Sequence, residues 1–148
     1  MSFVDTLKIR RHGLTILTTE GCNFACVYCH QPHTPVHMSQ AVADSIARFV
    51  ERKAKTIDHL DISWFGGEPL TNLRVLLGLS EEFVRLCHEN SVALLGFMST
   101  KGYLLTQELL ADLVRLGISR YQITFDGPQN VHDRYRVSKK GVGGFSFL

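Results

Sequence analysis

Short runs rich in β-branched and apolar residues alternate with longer segments whose apolar residues recur at helical spacing. The first kind of segment predicts strands, and the second predicts helices that bury one face. The predicted strands are residues 14–19, 60–65, 92–99 and 121–125. The predicted helices are a segment capped by Ser39, a segment from after Pro69 to about Glu89, and residues 106–116, which Gly117 ends. Because helices alternate with strands, we expect parallel strands joined by right-handed crossovers, an α/β fold.

The segments that follow the predicted strands are expected to share one edge of the sheet. The carboxyl ends of parallel strands meet at one edge, and the loops beyond them build the site in such folds. These segments are the loop with Cys22, Cys26 and Cys29, followed by residues 66–68, 99–102 and 124–127. We therefore expect the chemistry of this chain at that edge.

Composition and charge exclude several classes of function. With 148 residues and 45% hydrophobic content, the chain is large enough to bury the core of one domain. The net charge of +2 is too small to predict a nucleic-acid partner. No apolar run approaches the ~20 residues of a membrane helix, so no membrane partner is expected. Lys8, Arg10 and Arg11 form a short basic cluster that is typical of a solvated face.

Four cysteines divide into a group of three and a single residue. Cys87 lies at helical spacing from Phe83, which predicts a buried and unreactive thiol. Cys22, Cys26 and Cys29 lie within eight residues on one loop, so their thiolates could reach three corners of a cubane iron–sulfur cluster. The fourth iron would then be open for chemistry. Nothing predicts a disulfide framework, and a cluster loop suits the reducing cytoplasm.

Three other interpretations of the clustered cysteines stay open at this point. Zinc would take the three sulfurs and an imidazole from His30, His33 or His37, although structural zinc loops usually present two separated ligand pairs. Covalent haem attachment would use the C-x-x-C-H string that ends at His30, but it requires export, and no signal-peptide pattern opens the chain. Ordinary buried thiols fit poorly with a loop that glycine and proline punctuate.

The C-x3-C-x2-C spacing, with Tyr28 before the last cysteine, resembles the cluster loop of the radical S-adenosylmethionine (SAM) enzymes. The string Gly66-Gly67-Glu68-Pro69 resembles the GGEP motif of the same family. The resemblance implies a [4Fe–4S] cluster on the three cysteines, with Tyr28 contributing to the cofactor site. It also implies that SAM chelates the open iron and that Gly66, Gly67 and Glu68 hold its amino group. A tight turn with a solvated glutamate is the alternative interpretation of this string.

Two further segments resemble motifs of the peptide and sulfatase maturases with SPASM extensions. Residues 99–106 are similar to the T-N-G-x-L-L-T segment of that subgroup, with Lys101 in place of asparagine. Residues 123–128 and 132–136 resemble its I-S-L-D-G-P and H-D-x-x-R segments. The resemblance implies that Thr124, which keeps a hydroxyl, and Arg136 bind the carboxylate or ribose of SAM. His132 is expected to cap or pack rather than act as a base.

The resemblance implies a fold and a function for the whole chain. The expected fold is the amino-terminal part of a partial (β/α)6 radical SAM barrel, with a lead-in at 1–13 and an incomplete core domain at 14–148. The expected function is reductive cleavage of SAM to a 5′-deoxyadenosyl radical that modifies a peptide or protein side chain. An electron donor such as a flavodoxin or ferredoxin would be a second partner. A catalytic residue of the protein itself stays unassigned.

A chain that ends after four strands is expected to be a truncated product or a fragment, with an uncovered sheet face and poor solubility. The alternative function is a non-catalytic iron–sulfur or zinc module that pairs with another chain.

Overall fold

A computed structural model describes residues 10–32 and 34–147. The predictions for Lys8 and His33 lie outside these residues. The strands are β1 (Arg11–Thr19), β2 (His59–Gly66), β3 (Ala93–Ser99) and β4 (Ile118–Gln122). The helices are α1 (Gln40–Ala54), α2 (Leu73–Glu89), α3 (Gln107–Arg115) and α4 (Gln129–Tyr135), with 3₁₀ turns at Pro69–Asn72 and Phe145–Phe147.

The four strands form one parallel sheet in the order β1-β2-β3-β4. Because neighbours in sequence are neighbours in space, each crossover connects adjacent strands. The register places Thr19 beside Gly66 and Ser99 beside Gln122, so the carboxyl ends of the strands lie next to one another. The predicted α/β class and parallel topology are confirmed.

Local signals in the sequence set the helix ends. The Ser39 hydroxyl accepts a hydrogen bond from the Val42 amide at the start of α1, and the Thr106 hydroxyl accepts one from the Leu109 amide at the start of α3. Gly117 ends α3 with a positive φ of 81°, a conformation that favours glycine. These caps fix where each crossover returns to the sheet.

The main core lies between the helices and one face of the sheet. Trp64 of β2 stacks on Phe83 of α2 with ring centroids 6.2 Å apart, and both side chains are buried. Cys87 lies in this core at 2% exposure, so its prediction as a buried thiol is confirmed. Residues of the opposite strand face, such as Leu17 and Phe65, are 45% and 40% exposed. The sheet therefore buries one face and leaves the other open within the described residues.

The fourth strand was predicted at 121–125, which is wrong. β4 begins directly after Gly117, whose carbonyl accepts a hydrogen bond from Gly96 at 2.7 Å, and Ile118 is only 1% exposed. Pairing with β3 therefore starts as soon as the helix ends, and Thr124 falls beyond the strand. The pattern also did not predict the short helix α4, and β1 begins three residues before the predicted Leu14.

Candidate functional site

Hydrogen bonds join the four loops at the carboxyl edge of the sheet. The Glu68 amide donates to the Gly21 carbonyl at 2.9 Å, which ties the loop after β2 to the cysteine loop after β1. The Lys101 amide donates to the Glu68 carboxylate at 2.7 Å, which adds the loop after β3. The Tyr28 hydroxyl donates to Asp126 at 2.7 Å, which adds the segment after β4. The structure thus brings the four predicted segments together.

The three clustered cysteines pack away from the main core. Cys22 and Cys26 are buried with Phe24 in a small separate cluster, and Cys29 packs against its edge. Burial raises the pKa of the Cys22 thiol, while the Phe24 amide, 3.4 Å from the sulfur, and the charge of Lys101 lower it. Metals bind the thiolate form of cysteine, which burial disfavours. The Phe24 amide and the charge of Lys101 stabilise that form and so assist ligation.

The surroundings of the cysteines fit an iron–sulfur cluster. The buried Asn23 amide nitrogen has no hydrogen-bond partner in the described structure, and a cluster sulfur would be an acceptor for it. None of the four cysteines forms a disulfide within the described residues. Among residues 10–32 and 34–147, no group of three His, Cys, Asp or Glu side chains surrounds a site for a single metal ion. A cubane is ligated at separate irons, so its ligands need not converge on one point.

The segment after α4 pairs with the cysteine loop. The Ala25 and Val27 amides donate to the carbonyls of Val137 and Tyr135 at 2.8 and 3.0 Å, and the Lys139 amide donates to the Asn23 carbonyl at 2.8 Å. This short antiparallel ladder fixes the backbone on which the cysteines lie. The sequence gives no signal for it, because its two sides are more than a hundred residues apart.

Gly66 and Gly67 allow two loops to approach closely. A Cβ atom on Gly66 would lie 2.1 Å from the Thr19 carbonyl oxygen, and one on Gly67 would lie 2.3 Å from the Gly21 carbonyl oxygen. Gly66 also has a positive φ of 126°, which a side chain would strain. The glycine pair is therefore required for packing against the cysteine loop, whether or not a ligand is bound.

Gly67→Ala is expected to displace the cysteine loop. The added methyl group would meet backbone atoms that cannot rotate away, at a cost of about 1–3 kcal/mol in the free energy of unfolding. Because the cysteine loop is displaced, the iron content after anaerobic reconstitution should also fall. Gly78→Ala in α2 is the matched control, since its Cβ would have nothing within 4 Å. Equal stability and iron content in the two variants would contradict the steric argument.

Glu68 is 1% exposed and connects the loops after β2 and β3. Its carboxylate accepts hydrogen bonds from the Thr100 hydroxyl at 2.8 Å, the Lys101 amide at 2.7 Å and the Leu70 amide at 3.2 Å. Burial raises its pKa, and these donors lower it. The alternative interpretation of this string, a tight turn with a solvated glutamate, is therefore wrong. Because a carboxylate has about four acceptor positions, one position remains for a further donor.

Tyr28, Asp126 and Arg136 form a polar network between the cysteine loop and the region after β4. Arg136 Nη1 donates to the Tyr28 hydroxyl at 2.7 Å, and Arg136 Nε lies 3.8 Å from Asp126 Oδ2. The Arg136 side chain is 6% exposed and that of Asp126 is 20% exposed. Burial and the Asp126 hydrogen bond raise the pKa of Tyr28, whereas Arg136 lowers it. Two residues that the sequence predicted separately, Tyr28 and Arg136, are thus in direct contact.

The two remaining predicted residues differ in their surroundings, since Thr124 is exposed and His132 is buried. Thr124 is exposed beyond β4, and its hydroxyl makes no hydrogen bond with a described residue. His132 is 1% exposed and packs against Phe125 and Phe145, as expected for a packing residue. Asp126 and Thr100 were not predicted as site residues. Both lie within the motif segments 99–106 and 123–128, but only the fold shows that Thr100 contacts Glu68 and that Asp126 contacts Tyr28.

A family model described as the Radical SAM superfamily matches residues 16–142. The chain therefore belongs to the radical SAM superfamily. Its four parallel strands and helices correspond to the amino-terminal part of the radical SAM barrel, and the resemblance to maturases is confirmed.

Individual relatives match this chain over only part of their own length. The AdoMet-dependent heme synthase of Methanosarcina barkeri is 31% identical over 80% of this chain and 32% of the relative. The serine-type anaerobic sulfatase-maturating enzyme of Bacteroides thetaiotaomicron is 26% identical over 84% of this chain and 31% of the relative. The solved structure of native anSMEcpe with bound AdoMet and Kp18Cys peptide has a TM-score of 0.76 at 23% identity, covering 92% of this chain and 38% of that chain. The chain thus spans about a third of the length of these curated relatives.

No helix of the described part of the chain has the length and apolarity to cross a membrane.

Proposed function

We propose that this chain binds a [4Fe–4S] cluster and SAM, and belongs to an enzyme that reductively cleaves SAM to modify a peptide or protein side chain. The observation that carries the proposal is the junction of the cysteine loop with Gly66, Gly67 and Glu68 at one edge of the sheet. Cys22, Cys26 and Cys29 would hold the cluster. The unpaired Asn23 amide supports a sulfur-containing group beside them.

SAM would lie across the carboxyl edge of the sheet. Glu68 would accept a hydrogen bond from its ammonium group, in the acceptor position that the protein donors leave open. Arg136 and the hydroxyl of Thr124 would bind its carboxylate or ribose, and Tyr28 would hold Arg136 in place through the bond at 2.7 Å.

The bound groups would supply the chemistry, and the protein would supply position. When bound, the cluster and SAM would supply one-electron reductive cleavage of the S–C5′ bond and abstraction of a hydrogen atom from the substrate. Cys22, Cys26 and Cys29 would hold the cluster, and Glu68 would orient SAM. A flavodoxin or ferredoxin is the proposed electron donor. A peptide substrate is favoured by the likeness to the sulfatase-maturating enzyme.

The test is SAM cleavage by the anaerobically reconstituted protein with a strong reductant. We expect 5′-deoxyadenosine to form in step with methionine, and to disappear in the Cys26→Ala variant. A reconstituted cluster without any 5′-deoxyadenosine would instead favour a non-catalytic iron–sulfur module that pairs with another chain.

A further inference from the structure

The cysteine loop leaves the sheet and returns to it through a narrow neck. The end of β1 runs antiparallel to the segment that leads into α1, with Thr19 opposite His37. The Met38 amide donates to the Thr18 carbonyl at 2.9 Å. These contacts close the loop that carries the three clustered cysteines.

The side chain of Asn72 joins the two sides of this neck. Its Nδ2 amide donates to the Thr18 carbonyl at 2.8 Å and to the Met38 carbonyl at 3.4 Å. The Thr18 hydroxyl in turn donates to the Pro69 carbonyl at 3.1 Å. Pro69 and Asn72 belong to the 3₁₀ turn that Glu68 immediately precedes. The turn that presents the Glu68 carboxylate is therefore bound to the neck of the loop that presents the cysteines.

The first turn of α2 lacks the side-chain cap that Asn72 could provide. Asn72 immediately precedes this helix, where an asparagine side chain ordinarily accepts a hydrogen bond from an amide of the first turn. It makes no such bond, and its backbone has φ −116° and ψ 52° rather than the extended conformation of a usual cap. The chain thus forgoes a local stabilising contact and directs this amide to the neck. Such a departure from a local rule is expected at a functional position.

We propose that Asn72 is a positioning residue that clamps the neck and thereby sets the position of the cysteine thiols relative to Glu68. The Gly67 amide donates to the Thr19 carbonyl at 3.2 Å and the Glu68 amide to the Gly21 carbonyl at 2.9 Å, so both contacts depend on where the neck lies. This inference rests on the proposed function, in which SAM contacts the cluster and Glu68 together. A misplacement of about 1 Å between two such groups can cost about a hundredfold in rate.

The test compares Asn72→Asp with the matched control Asn90→Asp. Asn90 lies at the other end of α2, and its Nδ2 amide donates to the Leu86 carbonyl at 2.8 Å. Each substitution keeps the shape of the side chain, removes an amide donor and adds one negative charge. A carboxylate at position 72 can cap the first turn of α2, whereas a carboxylate at position 90 meets the negative end of the helix dipole. In urea unfolding we therefore expect Asn90→Asp to lower stability more than Asn72→Asp.

Amide hydrogen exchange measures the neck without any bound group. We expect the amides of residues 18–20 and 36–38 to exchange about tenfold faster in Asn72→Asp, and to be unchanged in Asn90→Asp. After anaerobic reconstitution, the iron content of Asn72→Asp should equal that of the unaltered protein, because its cysteines are intact. Its SAM affinity should fall about tenfold, and the change that SAM causes in the electron paramagnetic resonance spectrum of the reduced cluster should require correspondingly more SAM. Asn72→Gln, which keeps the amide donor, should restore part of both.

Equal exchange at the neck in Asn72→Asp and the unaltered protein would overturn the clamp. Faster exchange with unchanged SAM affinity would overturn the positioning role. An equal loss of SAM affinity in Asn90→Asp would also overturn it, because lower stability alone would then explain the effect. Faster exchange in Asn72→Asp, with an unaltered protein that holds a cluster but binds no SAM, would count against the proposed function and not against the clamp.

Discussion

Alanine at Cys22, Cys26 or Cys29 is expected to abolish assembly of the iron–sulfur cluster, whereas alanine at Cys87 leaves it intact. The first three thiols lie on the loop after β1, where they pack in a small hydrophobic group that is separate from the main core. Cys87 lies within the main core on α2, where burial raises its pKa and no metal partner approaches among the described residues. Two remaining thiolates would not hold a cubane that already lacks a fourth protein ligand.

The measurement is iron and labile sulfide per chain after anaerobic reconstitution, together with the visible absorption of the cluster. Thermal unfolding of each variant before reconstitution controls for folding. A full cluster in Cys26→Ala, or its loss in Cys87→Ala, would contradict the ligand set. Stoichiometric zinc without labile sulfide would favour the zinc interpretation of the loop.

Substitution of Glu68 is expected to weaken the fold and SAM binding by separable amounts. Glu68→Ala leaves the donors of Thr100, Lys101 and Leu70 without their acceptor, and each buried donor left unpaired costs about 1–3 kcal/mol. Glu68→Gln keeps the shape but removes the charge. Loss of a charge-assisted bond to the ammonium group would reduce SAM affinity about ten- to a hundredfold.

Urea unfolding measures the loss of stability. Calorimetric titration of SAM into the cluster-loaded protein measures the loss of SAM affinity. Thr100→Val is the matched control, because it removes one donor to Glu68 and leaves the carboxylate in place. We expect it to lower stability without a comparable loss of SAM affinity. Unchanged affinity in Glu68→Gln would mean that Glu68 only joins the two loops.

Glu68 also predicts the pH dependence of stability. Burial, the largest influence, raises its pKa above the ordinary value for glutamate. The folded protein therefore keeps this proton to a higher pH than the unfolded chain, and the group's contribution to stability is complete below the ordinary pKa. It is lost as the pH rises through the folded-state pKa. As the pH rises from the ordinary glutamate pKa through the folded-state pKa, the unaltered protein should lose stability relative to Glu68→Gln, which does not titrate at this position. A difference in unfolding free energy that stays constant with pH would contradict the direction of the shift.

The sequence by itself determined the fold class and pointed to the centre of the candidate site. Cysteine spacing is local information, so three candidate ligands on one loop could be recognised without coordinates. The alternation of strands and helices predicted the parallel sheet, because a helical crossover returns the chain to the same end of the sheet before the next strand begins. Parallel strands place their carboxyl ends at one edge, which predicted that the loops with Cys22, Gly67 and Lys101 lie together, as the hydrogen bonds between these loops show.

Tertiary structure decided what depends on distant partners. The bond between Tyr28 and Arg136 joins residues 108 positions apart, and no local pattern encodes it. Burial of Glu68 depends on how closely the glycine pair lets two loops approach, a steric fact of the folded backbone. The position of β4 was set by pairing with Gly96, which outweighed the β-propensity of the residues that follow. The pairing of Arg11 with Asp61 across β1 and β2 likewise emerges only from the register of the sheet.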